Sequence, residues 1–347
     1  MSRSLVSCCR PLLALALAAA FSGGAPAASP STSAPSATAQ VETLQRMNAA
    51  LVGLQVQAVT GASSAESLGR TRSGSGVVIG DDGLILTIGY LLLEAQSIEV
   101  RTQDGRSVPA RAVAYDLATG FGLIRPLVPL RGVQAVALTG TAAPSTGDRM
   151  LVGVGGRDGG IGMTQLVSKR AFSGNWEYHL EAAFFTSPPA PNHSGAPLFS
   201  LQGDLLGIGS LFTTDAAGKG PRSLPSNMFV PVDLLRPVLA ELEATGSTRA
   251  SRRPWIGLSS GALDGQLQVL RVTRDSPAEA AGLRPGDVVL EIDGTRVATP
   301  EALYKQLWMH AEPDDEIELT VRQGEAVRKL RFRAVDRMQT LRKPEGI

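Results

Sequence analysis

The chain has 347 residues, 43% of them apolar, with 38 glycines, 5% aromatics and a formal charge of +1. That length suits two domains plus extensions, and the apolar content is ample for buried cores. A near-neutral balance leaves no electrostatic footprint for nucleic acid or for an anionic membrane surface as partner.

Residues 1–27 read as a secretory signal peptide. Arg3 and Arg10 form its charged region, Leu12–Phe21 its apolar run, and Gly23–Ala27 ends in an Ala-x-Ala cleavage pattern. The apolar run is about half of the roughly 20 residues that a membrane span requires, so cleavage after Ala27 is expected rather than an uncleaved anchor. The Leu5-Val6-Ser7-Cys8 stretch resembles a lipoprotein box but precedes the apolar run. Once the signal is removed, 31 basic residues face 32 acidic ones and no membrane span is expected. Cys8 and Cys9 lie within the signal, so the exported chain would have no thiol and no disulfide. His179, His193 and His310 lack metal-ligand spacing. Neither metal nor cofactor is expected, and export without disulfides fits the periplasm or cell envelope of a bacterium.

Residues 28–43, rich in Ala, Ser, Pro and Thr, read as a flexible leader. From 44 to 246 short β-segments alternate with glycine-rich turns. Ser75–Ile79 leads through the turn Asp81-Asp82-Gly83 into Leu84–Thr87. Further expected strands are Ser97–Arg101, Val108–Ala114, Phe121–Ile124, Met150–Val154, Gly195–Ser200 and Leu205–Ser210. Their spacing indicates an all-β sandwich or barrel. Val232–Ala244 has helical spacing and stops at Gly246, ahead of a linker at 247–254.

Residues 255–337 form a separate α/β module, followed by a tail at 338–347. Gly265–Val272 and Asp287–Ile292 read as strands, with Asp293-Gly294 as a turn. Ser276-Pro277-Ala278-Glu279 is a capping box that Gly282 terminates, and Thr299-Pro300 opens a helix reaching about His310. Glu316–Gln323 and Val327–Ala334 complete a hairpin.

Residues 192–199, Asn-His-Ser-Gly-Ala-Pro-Leu-Phe, are a version of the turn that carries the nucleophile of trypsin-like serine proteases, with Ser194 in the nucleophile position. Ser73–Thr87, Ser194–Gly209 and Asn227–Val232 occur in the order found in HtrA-type envelope proteases. Val272–Gly294 matches the signature of their PDZ domain. The chain resembles the HtrA/Deg family over roughly residues 45–337. The resemblance implies a mainly β protein: a chymotrypsin-like double β-barrel at 44–246 followed by an α/β PDZ domain at 255–337. It also implies homotrimerisation through the barrels.

Where the family has its catalytic histidine, this chain has Tyr90, and where it has aspartate, Gly120. A phenol with an ordinary pKa near 10 is a poor base toward a serine hydroxyl. Asp116 can be aligned to the aspartate position instead, but the Thr-Gly that follows it breaks the strand; it reads as a solvated turn residue. His193 adjoins Ser194, yet neighbouring side chains in a tight turn point apart and no acid is available to orient its ring.

The resemblance assigns an oxyanion hole to the amides of Asn192 and Ser194, with Asn192 standing where glycine is usual. Asparagine tolerates φ > 0 better than other non-glycine residues. Thr186 takes a position usually held by aspartate, and Pro188, Pro189 and Pro191 reshape the cleft wall.

In the PDZ domain, Trp255, Ile256, Gly257 and Leu258 occupy the loop whose amides hold a peptide's terminal carboxylate. Leu303 and Leu307 are either walls of the pocket for the terminal side chain or plain core. The expected partners are polypeptide C-termini or unfolded proteins, together with other envelope proteases. Two functions follow from these residues. One is a catalytically inactive adaptor, regulator or chaperone-like pseudoprotease. The other is an active serine endopeptidase of envelope quality control that uses Ser194 with an unconventional base.

Overall fold

The computed structural model describes residues 37–138, 143–218 and 223–342. The expected signal peptide, residues 28–36 of the leader and most of the tail lie outside them. Among the described residues, no helix is long and apolar enough to cross a membrane.

A helix α1 (Ala37–Ala50) leads into β1 (Leu51–Ala58). A one-turn helix α2 (Ala65–Leu68) separates this from β2 (Thr71–Val78), β3 (Ile85–Ile88), β4 (Ala95–Thr102), β5 (Ser107–Tyr115) and β6 (Phe121–Pro126). These six strands close into a barrel in the order β1-β2-β3-β6-β5-β4. The second barrel consists of β7 (Arg149–Val154), β8 (Gly160–Gly174), β9 (Tyr178–Ser187), β10 (Pro197–Phe199), β11 (Leu205–Thr213) and β12 (Ser226–Pro231), closed in the order β10-β11-β12-β9-β8-β7. Closure leaves neither barrel an unpaired strand edge. One apolar cluster runs through both, with Leu51, Leu86 and Phe121 from the first packed in the same core as Phe185, Phe199 and Met228 from the second.

Helix α3 (Leu239–Thr245) ends at Gly246, whose φ of +80° makes it a left-handed cap. The PDZ module then runs through β13 (Pro254–Trp255), β14 (Leu258–Leu263), β15 (Gln266–Val272), α4 (Pro277–Ala280), β16 (Val288–Ile292), β17 (Thr295–Arg296), α5 (Pro300–His310), β18 (Glu316–Gln323), β19 (Ala326–Arg333), β20 (Val335–Asp336) and α6 (Arg337–Thr340). Its sheet runs β14-β15-β16-β18-β19, so β14 is an edge strand. Ser276 caps α4 by accepting from the Glu279 amide at 3.2 Å, while the Glu279 carboxylate reaches back to the Asp275 amide at 2.7 Å.

Three expectations need correcting. The leader read as flexible over 28–43 is helical from Ala37, because Met47 and Ala50 anchor that helix in the barrel core and Thr43 bonds back to the Ala39 carbonyl. The helix expected over Val232–Ala244 is broken into a 3-10 turn at Val232–Leu234 and α3. Pro237, which has no amide to donate, falls between them. Asp116 is not a solvated turn residue. It is 1% exposed and accepts from Thr248 at 2.6 Å, from Ser251 at 2.5 Å and from the Thr119 amide at 3.1 Å, tying the first barrel to the linker.

Candidate active site and peptide groove

Ser194 stands half-buried on a turn pressed against the first barrel. The Ser75 amide donates to the Ser194 carbonyl at 2.8 Å, and the Gly195 amide donates to Gly209 at 2.8 Å. Gly195 has φ +73°, and a Cβ there would collide with the Ser75 carbonyl and the Thr87 hydroxyl. Thr87 in turn donates to that same carbonyl at 2.7 Å. Gly195 therefore serves backbone-to-backbone contact between the barrels.

The 3-10 turn Gly89–Leu92 at the end of β3 delivers Tyr90 to the nucleophile. Its hydroxyl lies 2.7 Å from Ser194 Oγ and 2.8 Å from the Ser210 carbonyl oxygen. The phenol has one proton for these two neighbours and a carbonyl can only accept. The phenol therefore donates toward the Ser194 oxygen and the Ser210 carbonyl, sharing one proton between them, and in neither contact does it act as a base. Burial pushes the Tyr90 hydroxyl up to about 12, although its bond to Ser194 pulls the other way.

Gly120 begins the descent into β6 with φ +85°. Its carbonyl accepts from the Gly89 amide at 2.7 Å, and a Cβ at this position would lie 3.0 Å from the Tyr178 hydroxyl. That hydroxyl donates to the Thr119 carbonyl at 2.5 Å. A phenol thus fills the space in which a side chain on residue 120 would have to sit.

His193 is partly buried, which holds its imidazole below the ordinary range. Its Nδ1 is buried without a partner. No hydrogen bond joins its ring to Ser194 among the described residues. Asn192 is exposed and is not one of the described residues with positive φ, so it does not use the left-handed tolerance expected of it. Pro188 follows a cis peptide bond and its carbonyl accepts from Thr164 at 2.9 Å. Thr186 faces Asn227 across the β9–β12 ladder, fully buried, while the Asn227 side-chain oxygen holds the Ala190 amide at 2.6 Å.

Tyr90, His193 and Ser210 line one end of a cleft of about 1590 Å³, and Trp255, Leu258, Ser259 and Leu270 line the other. In the PDZ domain, the Ile256, Gly257 and Leu258 amides converge on a single carboxylate, that of Glu177 in the β8–β9 turn, at 3.1, 2.7 and 2.8 Å. Gly257 has φ +85°, and a Cβ on it would collide with Ser276. Leu303 and Leu307 are buried in the module's own apolar cluster with Leu258, Val269 and Ile292. His179, Glu181 and Glu301 also come together, with ligand atoms within 4.8 Å of one another. The Lys305 ammonium already sits between the two carboxylates, 2.9 Å from Glu181 and 2.8 Å from Glu301.

Residues 74–208 match the trypsin-like peptidase domain family and residues 254–333 match the PDZ domain family. A probable periplasmic serine endoprotease, DegP-like, of Halomonas elongata is 28% identical over 274 residues, covering 74% of this chain and 55% of that protein. A protein of the same description from Hahella chejuensis is 25% identical over 67% of this chain and 50% of its own length. In its pairing of a trypsin-like peptidase domain with a PDZ domain, the chain is similar to HtrA-type proteases.

The chain spans about half the length of the curated relatives it matches. Among solved structures, the HtrA-type protease AlgW with a decapeptide shares the fold at TM-score 0.51 and 22% identity, covering 88% of this chain and 99% of that one. A serine endoprotease from Yersinia pestis does so at TM-score 0.51 and 19% identity, over 87% and 98%. The sequence reading named Tyr90, Ser194 and the loop at 255–258. It missed Glu177, Ser210 and Tyr178. Each of these acts across barrels or domains, and no local spacing in the sequence signals such a partner.

Proposed function

We propose that this HtrA-like protein is a non-hydrolytic member of the bacterial envelope that recognises polypeptide C-termini or unfolded segments through its PDZ domain, as an adaptor, regulator or chaperone-like protein. The observation that carries this reading is the Tyr90 hydroxyl at 2.7 Å from Ser194 Oγ. A serine hydroxyl attacks a carbonyl only when a base removes its proton. With its hydroxyl pushed up to about 12, Tyr90 is phenolate in only about one molecule in 10⁵ at pH 7. The neutral phenol donates to the serine oxygen and does not take its proton. Loss of the base costs a serine protease on the order of 10⁶ in turnover. The periplasmic relatives and the expected signal peptide support an envelope location, and AlgW, whose structure holds a decapeptide, supports peptide binding.

Fluorophosphonate labelling of the wild-type chain beside Ser194→Ala, with casein cleavage in parallel, tests this. The expected result is no serine-dependent labelling and no cleavage. Labelling and cleavage that vanish in Ser194→Ala would overturn the reading in favour of an endopeptidase with an unconventional base.

A further inference from the structure

Three backbone amides in succession, at Ile256, Gly257 and Leu258, point at one spot beside the start of β14. Convergent amides of this kind need an anion. In this chain they have one already: the Glu177 carboxylate, whose side chain is buried in the contact.

The neighbouring residues extend the resemblance to a bound peptide. Along β14, the Ser260 amide donates to the Asn175 carbonyl at 3.0 Å. Leu258 and Ser260 are alternate residues of an edge strand, so their amides point to the same side, and both are taken by the segment 175–177. From α5, across the groove, the Tyr304 hydroxyl donates to the Gly174 carbonyl at 2.9 Å. Carboxylate in the cradle and main chain beside the edge strand are the contacts made by a polypeptide end that adds to the sheet. Glu177 holds φ +58°, an uncommon conformation for a residue with a long side chain, and the strain marks a turn kept in place by its surroundings.

We propose that Glu177 is an internal ligand of the PDZ groove, and that a polypeptide with a free C-terminal carboxylate binds only by displacing it. The proposal rests on the peptide-recognition reading above, and it names the competitor that any partner meets.

The experiment uses the whole chain, wild type beside Glu177→Ala and Glu177→Gln. The probes are fluorescent decapeptides that end in Val, Leu, Ile, Phe or Ala with a free carboxylate, and the same peptides amidated at the C-terminus. Hydrogen exchange at the Ile256, Gly257 and Leu258 amides is followed in the three proteins without peptide. The expected result is a gain of tenfold or more in affinity for free-carboxylate peptides in Glu177→Ala, no gain in Glu177→Gln, whose neutral amide keeps an acceptor oxygen in the cradle, no binding of amidated peptides, and loss of amide protection in Glu177→Ala. If wild type and Glu177→Ala bind the same peptides equally, Glu177 does not compete; the proposal falls while peptide recognition stands. If no free-carboxylate peptide binds even where Glu177→Ala has lost amide protection, the peptide-recognition reading falls and takes the proposal with it. Unchanged protection in a folded Glu177→Ala also overturns the proposal.

Discussion

Asp116 and Ser251 lie 135 residues apart in sequence and 2.5 Å apart in space, carboxylate to hydroxyl. With Thr248 on the same oxygen, the pair fastens the segment between the domains to the first barrel. Asp116→Ala strips a buried cluster of its acceptor: the Thr119 amide and hydroxyl lose their partner, and of the Thr248 and Ser251 hydroxyls only one can then donate to the other. A loss of about 2–4 kcal/mol in thermal unfolding is expected, because orphaned buried donors cost more than the bonds contribute. Proteolysis within 247–254 should quicken in parallel. A melting temperature within a degree of wild type would contradict this account of the joint.

Restoring histidine in place of Tyr90 should not restore a protease. Tyr90→His supplies a base, but Gly120 has no carboxylate to orient the ring, and removing the orienting acid from a complete triad costs about 10⁴ in turnover. Adding Gly120→Asp is no simple remedy, since a side chain there runs into Tyr178 at positive φ. Casein cleavage by Tyr90→His should stay at the level of Ser194→Ala. Turnover within tenfold of an active HtrA enzyme would refute the assignment of Gly120 to the aspartate position.

Two glycines should tolerate no side chain. Gly195→Ala drives a methyl into the Ser75 carbonyl, and Gly257→Ala drives one into Ser276, each at a φ that L-residues avoid. Losses of about 2 kcal/mol or more are expected. Gly195→Ala should loosen the contact between the barrels and Gly257→Ala the carboxylate cradle, distinguishable by hydrogen exchange at Ser75 and at Leu258.

The docked groove should weaken as pH rises. Burial pushes the Glu177 carboxyl up to about 7 against the lowering pull of the Leu258, Ile256 and Gly257 amides and of Arg337. A carboxyl raised from 4.5 in the undocked state holds its proton more firmly when docked. Docking is therefore strongest below about 4.5, loses up to about 3 kcal/mol as pH climbs to about 7, and then levels off. Arg337 and Tyr304 stand beside it, Tyr304 itself pushed up to about 12 by burial. His179, two residues along β9, bonds Ser173 and faces Glu181. Free-carboxylate decapeptides should bind the wild type more tightly at pH 8 than at pH 5.5. Glu177→Gln, which cannot titrate, isolates the share of Glu177: an equal pH slope in both proteins would assign the effect elsewhere.

What the sequence revealed divides along physical lines. Strands with short apolar runs between glycine turns, such as β2, β3 and β11, were legible because pattern and turn chemistry agree. β8 and β9 were not, since Gly160–Gly174 mixes charged and small residues across two register breaks. α1 was hidden by an Ala- and Thr-rich composition whose helix depends on Met47 finding the core. Asp116 looked solvated because its donors, Thr248 and Ser251, lie beyond any local window. Ser194 and Tyr90 could be read by position, while the Ser210 carbonyl that engages the phenol could not. Leu303 and Leu307 left pocket and core open, and the fold puts both in the module's core.

The Gly174–Glu177 turn has a consequence for how partners are sorted. A tethered competitor acts at an effective concentration on the order of millimolar, whatever the dilution of the protein. Every incoming chain end then sees its intrinsic affinity discounted by the same factor, so isolated weak binders leave no signal. Chain ends presented in many copies on one surface recover the difference through avidity, and a groove of this kind responds to crowding of termini rather than to any one terminus.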